Sequence, residues 1–358
     1  MKHQRIRLAT KITFGLAIGC ALAVGSAAAQ NACTPGKTKK IAFMMKQQTA
    51  FRYLHADMPF FVRAAETEGF TVVTQSAEND AQVQVGQAEN VITQGVDVIV
   101  INPVDFNVAA GIVEMATKAG IPLVSYNDLI LNAPHAAFVG RDNKEGGVVA
   151  AKAIIADVPE GNYALIGGDP GQTGATEMQK GYHGVLADAV SADKIKIVMD
   201  QFAPQWKTEP AQAFAENALT QNNNKIDAFL VSYDGESIGV MQAIEGAGLS
   251  PGSIPVTGQD MELSAAQAIV EGRMHGSVWP APDEMGTAAA RVAVALARCE
   301  AISAADVIYN GAGKIPWVKT PISYVDRDSI SDFVCSHDFW LNADEVYKNV
   351  PDRKPTCK

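Results

Sequence analysis

The chain has 358 residues, a formal net charge of −10 and five cysteines. That length exceeds one ordinary hydrophobic core and suits two domains. An acidic chain without basic clusters excludes nucleic acid as a partner, and solubility accounts for the charge.

The amino terminus reads as an export leader. Lys2, Arg5, Arg7 and Lys11 precede an apolar run from Ile12 to Val24, and Ala27-Ala28-Ala29 supplies the small residues that signal peptidase accepts. Cleavage is expected before Gln30, which places the mature chain in the periplasm. Gly19-Cys20 offers a rival lipoprotein cut, opposed by Ala17, where a larger aliphatic residue is usual. Cleavage before Gln30 leaves Cys33, Cys299, Cys335 and Cys357. In an exported chain these suggest two disulfides, with all three pairings open. None sits in a CxxC, so neither a metal nor a redox motif is expected, and no cofactor.

Beyond the leader, short apolar runs alternate with helical segments. Ile41 to Met45 reads as a buried strand. A helix follows from Pro59 to Glu68, with Asp57 as its cap and Gly69 as its stop. Thr71-Val72-Val73 is the next strand, and residues 81–94 place Val85, Ala88, Val91 and Ile92 on one helical face. Val98 to Ile101 is nearly all β-branched, as a strand covered on both faces should be. A helix near 106–118 and strands Pro122 to Tyr126 and Ala137 to Gly140 complete a first set. A second set of strands follows at 164–166, 195–198, 228–231, 254–256 and 277–279, with helices between. Alternating βα units predict parallel doubly wound sheets, and two sets predict two similar α/β lobes.

In open α/β sheets ligands sit beyond the carboxyl ends of the strands, so two facing lobes make a cleft. Those ends carry Lys46-Gln47-Gln48, Asn102-Pro103, Asn127-Asp128, Arg141-Asp142-Asn143, Gly168-Asp169, Tyr233-Asp234 and Gln259-Asp260. Amides, carboxylates and a guanidinium are the groups that hydrogen-bond hydroxyls. Enzyme signatures are missing: there is no GxSxG, no HExxH and no phosphate-cradling glycine run. Gly36-Lys37-Thr38 lacks the glycine five positions earlier and follows no strand. The six histidines have no ligand-like spacing.

Several stretches together carry a family resemblance. They are residues 94–101, 142–146, 161–163 and 217–227, with Gly258-Gln259-Asp260 and Thr320-Pro321-Ile322. In order and spacing the chain resembles the periplasmic sugar-binding proteins of ABC importers, closest to the pentose-binding type that takes xylose or ribose. The resemblance implies a type I periplasmic binding protein: two lobes joined by crossings near 140–144, 279–283 and 319–323. The expected lobes are 30–140 plus 281–320 and 141–280 plus 321–334, with a tail at 335–358. The implied function is capture of a sugar or sugar alcohol and delivery to an ABC permease by a monomer.

Residue by residue, Trp206 is similar to the family's stacking aromatic, with ordinary core packing as its structural alternative. Phe51-Arg52-Tyr53 resembles the xylose-type arginine-plus-aromatic pattern, in which Arg52 donates a forked pair of hydrogen bonds. Phe60 is the competing stacking ring. Gln259 and Asp260 fit the family's carboxylate position and its neighbour, although Asp260 could instead cap the following helix. The chain departs from the pattern elsewhere. Asn127-Asp128 stands where Asp-Arg is usual, Tyr233 where asparagine is, Thr176 where a base is common, and Pro280 where a polar residue is. Arg141, helped by Lys46, is expected to supply the missing positive charge, with a plain surface role as its alternative. A polyol, a modified sugar or a larger glycoside all remain open as ligands.

Two other classes compete. The same fold serves repressors, but here a leader stands where their helix-turn-helix would be; an exported form could present ligand to a chemoreceptor or sensor kinase. A periplasmic carbohydrate-active enzyme would need paired carboxylates such as Asp128 and Asp260, which sugar-binding clefts also use without catalysis.

Overall fold

The computed structural model describes residues 35–357; the leader, Cys20 and Cys33 lie outside them. Strands β1 (Lys40–Met45), β2 (Thr71–Ser76), β3 (Val98–Ile101), β4 (Leu123–Tyr126) and β5 (Ala137–Gly140) form the first set. The second comprises β6 (Gly161–Gly167), β7 (Ile195–Phe202), β8 (Ala228–Val231), β9 (Thr257–Gln259) and β10 (Gly276–Trp279). Three more follow: β11 (Asp306–Tyr309), β12 (Lys314–Lys319) and β13 (Ser323–Asp326).

The first sheet has the order β11-β12-β5-β4-β3-β1-β2, parallel except for the β11–β12 hairpin. The second lobe holds β7-β6-β8 and β13-β10-β9, joined by one bridge between Phe229 and Val256. Helices cover both faces, so alternate residues of one strand enter different cores. Ile41, Phe43 and Met45 pack into one cluster, and Ala42 and Met44 into another. Tyr163 and Leu165 divide from Ala164 and Ile166 in the same way. This period of two, apolar on both sides, makes parallel strands nearly continuous apolar runs.

The chain passes between the lobes three times: from β5 to the helix Asn143–Asp157, from β10 to the helix Pro282–Ala297, and from β12 to β13. Asp142 caps the first of these helices, accepting from the Glu145 amide at 3.2 Å.

Three expectations change. The strand expected at 254–256 begins at Thr257, because Pro255 has no amide to give a ladder. Asp57 does not cap the helix Met58–Thr67; its carboxylate is held by Arg52. The β11–β12 hairpin adds two strands to the first sheet that the sequence reading lacks. The tail packs on the second lobe. Its helix Ile330–Ser336 and Trp340, Leu341, Val346 and Tyr347 join the second lobe's core. Trp340 Nε1 donates to the Met261 carbonyl at 2.7 Å, and Cys335 is bonded to Cys357. Cys299 is disulfide-bonded as well. Among the described residues no helix is long and apolar enough to cross a membrane.

Candidate ligand-binding cleft

A cavity of about 500 Å³ opens where the carboxyl ends of the two sheets face each other. The first lobe contributes Lys46 after β1, Arg52 and Tyr53 from the helical turn that follows, and Asn127-Asp128 after β4. Arg141 enters from the first crossing. The second lobe brings Gly174, Trp206, Tyr233, Gln259, Asp260 and Glu262.

Arg52 joins two carboxylates. A wide π-type turn over Tyr53–Asp57 brings Asp57 back beneath it. Its Nε and Nη2 donate to the two Asp57 oxygens at 2.9 and 2.8 Å, and Nη1 reaches Asp260 across the cleft at 3.2 Å. Tyr126 donates its hydroxyl to Asp57 from below. Burial would lower the guanidinium's pKa, but the Asp57 and Asp260 charges hold it well above its ordinary value.

Asp260 has φ 98° and Met261 φ 52°, a left-handed reversal that non-glycine residues adopt only when the surroundings impose it. Three successive amides are fixed there. Asp260 donates to the Val278 carbonyl at 2.8 Å, Met261 to Ser277 Oγ at 3.2 Å, and Glu262 to Asp234 Oδ2 at 2.8 Å. Asp234 is itself buried, and burial followed by the Glu262 charge raises its pKa well above the carboxylate range. The reversal aims Asp260 and Glu262 into the cavity instead of into the next helix.

Lys46 and Asp128 form a second buried pair at 3.2 Å. Burial opposes the Lys46 charge, yet Asp128 leaves its pKa raised. Asp128 also accepts from Asn127 Nδ2 at 2.8 Å and, across the cleft, from the Gly174 amide at 2.7 Å. A Cβ at Gly174 would lie 2.6 Å from that carboxylate oxygen. Lys46 reaches the second lobe too, donating to Gln172 Oε1, which also accepts from Trp206 Nε1 at 2.7 Å. The lobes further join through the Phe106 amide to the Gly171 carbonyl (3.0 Å) and the Leu129 amide to Thr173 Oγ1 (2.7 Å). The cleft is therefore in a closed form.

Trp206 is built as a platform. Gln205 and Trp206 both have positive φ, 57° and 59°, and the Gln205 amide is anchored on Asp169 at 2.7 Å. One face of the indole lies directly on Gly168, where a Cβ would meet the ring at 2.1 Å. Tyr233 stands edge-on to it at 6.3 Å.

Arg141 lines the cavity beside Asn127. It is buried, its Nη1 donates to Asn127 Oδ1 at 2.6 Å, and its Nε has no partner among the described residues. Burial, then the nearby Arg52 charge, lowers its pKa. Gln259 Oε1 is likewise buried without a partner. No group of three or more His, Cys, Asp or Glu among the described residues is arranged to hold a metal ion.

Three sequence candidates lie off the cavity wall. Phe51 stacks on His55 at 4.0 Å and edges Trp340 at 4.9 Å. It is two positions from Tyr53 on a helical turn, so the two rings face roughly opposite sides and only Tyr53 looks into the cleft. Phe60 packs against Phe339 at 5.3 Å. Thr176 Oγ1 bonds back to the Thr173 carbonyl at 3.4 Å. Among the polar residues of the cavity wall, Gln47, Thr49, Asn79, Gln205, Lys207, Thr208, Glu209 and Glu262 are absent from the sequence candidates, as is Gln172 behind Lys46 and Trp206. Glu262 lies two residues past Asp260, and only the left-handed reversal turns it inward.

Comparison with known proteins places this geometry in context. The family described as periplasmic binding protein domain matches residues 41–301. The D-xylose-binding periplasmic protein of Haemophilus influenzae is 38% identical over 284 residues, covering 79% of this chain and 85% of that protein. The D-xylose-binding periplasmic protein of Escherichia coli is 37% identical over 284 residues, covering 79% and 86%. Among solved structures, an ABC transporter solute binding protein from Clostridium phytofermentans with bound β-D-glucose superposes with a TM-score of 0.78 at 22% identity. That match covers 86% of this chain and 99% of the other, and it speaks to the fold.

Proposed function

This chain belongs to the periplasmic binding protein domain family, and from that premise we propose that it captures a neutral polyhydroxylated molecule, a sugar or sugar alcohol. In this reading it works in the periplasm and hands the ligand to an ABC permease without chemical turnover. The observation that carries the reading is the balance of charge in the cavity wall. Lys46, Arg52, Arg141 and Lys207 face Asp128, Asp260, Glu209 and Glu262. A cation would meet the first set and an anion the second, whereas hydroxyls donate to one and accept from the other. Trp206 adds a flat apolar face of the kind that suits the C–H side of a sugar. The names of the relatives described above point to the same class of ligand.

In this reading the polar groups act by complementarity. Asp260 accepts from two adjacent hydroxyls, held for that by its forced backbone and by Arg52. Arg141 offers its unpaired Nε in place of the absent guanidinium. A ligand lacking the matching hydroxyl leaves these buried groups unpaired, which costs about 1–3 kcal/mol for each. Since both lobes supply contacts, bound ligand favours the closed form, and the permease reads that form.

A thermal-shift screen of residues 30–358 tests this. Neutral polyols should raise the melting temperature, because a ligand that binds only the native state stabilises it. Uronates and amino sugars of the same size should not. A response confined to charged compounds would remove the proposal.

A further inference from the structure

Among the buried ion pairs of the cleft, Asp128 is matched by Lys46 and Asp260 by Arg52. Glu262 stands on the same wall without a basic partner in any described salt bridge. Its Oε1 accepts from the Tyr233 hydroxyl at 2.8 Å, and the Phe51 amide of the first lobe acts to lower its pKa. Tyr233, Asp234 and Asp260 bear on it from the second lobe, and Lys207, Glu209 and the first lobe's Arg52 line the same cavity, Arg52 being already engaged by Asp57 and Asp260. A half-buried carboxylate in the cavity wall with one side-chain donor keeps lone pairs free for a donor that arrives with the ligand.

We propose that Glu262 is an affinity-determining ligand contact, taking a hydrogen bond from a ligand hydroxyl through its ionised carboxylate, so that acid weakens capture. The inference rests on the reading of the cleft as a polyol site. Glu262 adds to that reading a residue and a proton linkage.

Burial is the main force on this carboxyl. The Tyr233 hydrogen bond pulls its pKa down and the Asp260 charge pushes it up, leaving it raised to about 7. Only the ionised form accepts fully from a hydroxyl, so affinity is complete above that pH and lost below it. The apparent dissociation constant should rise about tenfold between pH 8 and pH 6, the change for one proton linked at a pKa of about 7 when only the ionised form binds. Burial also holds Tyr233 protonated throughout this window, so the phenol is a constant donor.

The test is calorimetry of residues 30–358 at pH 6, 7 and 8 with D-xylose, D-glucose, xylitol and myo-inositol, repeated with Glu262→Gln. The expected result is a tenfold loss of affinity toward acid for whichever compound binds. Glu262→Gln should bind more weakly at pH 8 and show no slope between pH 6 and 8. Glu262→Asp, which keeps the charge, should keep a slope. Binding with the same pH profile in wild type and Glu262→Gln would overturn the inference and leave the polyol reading standing. Failure of all four compounds at every pH would overturn both.

Discussion

Replacing Arg52 by methionine removes a guanidinium that is 2% exposed and that serves two carboxylates, one of them fully buried. Asp57 then keeps only the Tyr126 hydroxyl, and an ionised carboxylate remains in a core built from Phe43, Phe61 and Met285. Breaking a buried pair by deleting one partner costs about 3–5 kcal/mol, because the other charge is left uncompensated, whereas removing both charges is often near neutral. Arg52→Met should therefore lose about 4 kcal/mol in urea denaturation at pH 7, and Arg52→Met with Asp57→Asn should recover most of that loss. Ligand affinity should fall in both, since Asp260 loses its cross-cleft partner in each. Equal stability of the single and double variants would refute the assignment of Asp57 as the charge that Arg52 is there to neutralise.

Trp206→Ala should weaken binding by about 10- to 100-fold in calorimetry, in line with the loss of a buried aromatic face. Gly168→Ala should do nearly the same without touching the ligand, because its Cβ displaces the indole. Arg141→Ala should reduce affinity by at least tenfold, the value of a charged hydrogen bond, while leaving thermal stability unchanged or higher, since an incompletely satisfied buried charge is removed; unchanged affinity would discard the substitution of Arg141 for the missing guanidinium. Cys357→Ser should lower stability by about 3 kcal/mol, the chain-entropy value for a loop of this length, read by urea denaturation beside the reduced wild type.

The parts of this protein legible in its sequence are those set by local pattern. Val98 to Ile101 could be placed because β-branched residues in an unbroken run fit a doubly covered strand, and the cleft-facing positions of Lys46, Asn127-Asp128 and Gln259-Asp260 follow from lying at strand ends. What escaped depends on backbone direction over one or two residues. Asp57 has the composition of a helix cap, and only the π-type turn before it shows that Arg52 claims it. Phe51, Tyr53 and Phe60 are equivalent as stacking aromatics until the helical turn sends Tyr53 alone into the cleft. Glu262 was hidden because the left-handed pair Asp260 and Met261 reverses the chain, and neither residue type announces a positive φ. The β11–β12 hairpin joins the sheet far from its neighbours in sequence, pairing β12 with β5, which no local pattern encodes.

The central claim is that the cleft holds a neutral polyhydroxylated ligand and leaves it unchanged. Titration calorimetry of residues 30–358 with the compound giving the largest thermal shift, followed by chromatography of the recovered compound, tests it most directly. The account predicts one-to-one binding, loss of that binding in Asp260→Ala, and quantitative recovery of the intact compound. Conversion of the compound to a product, or binding that persists undiminished in Asp260→Ala, would contradict it.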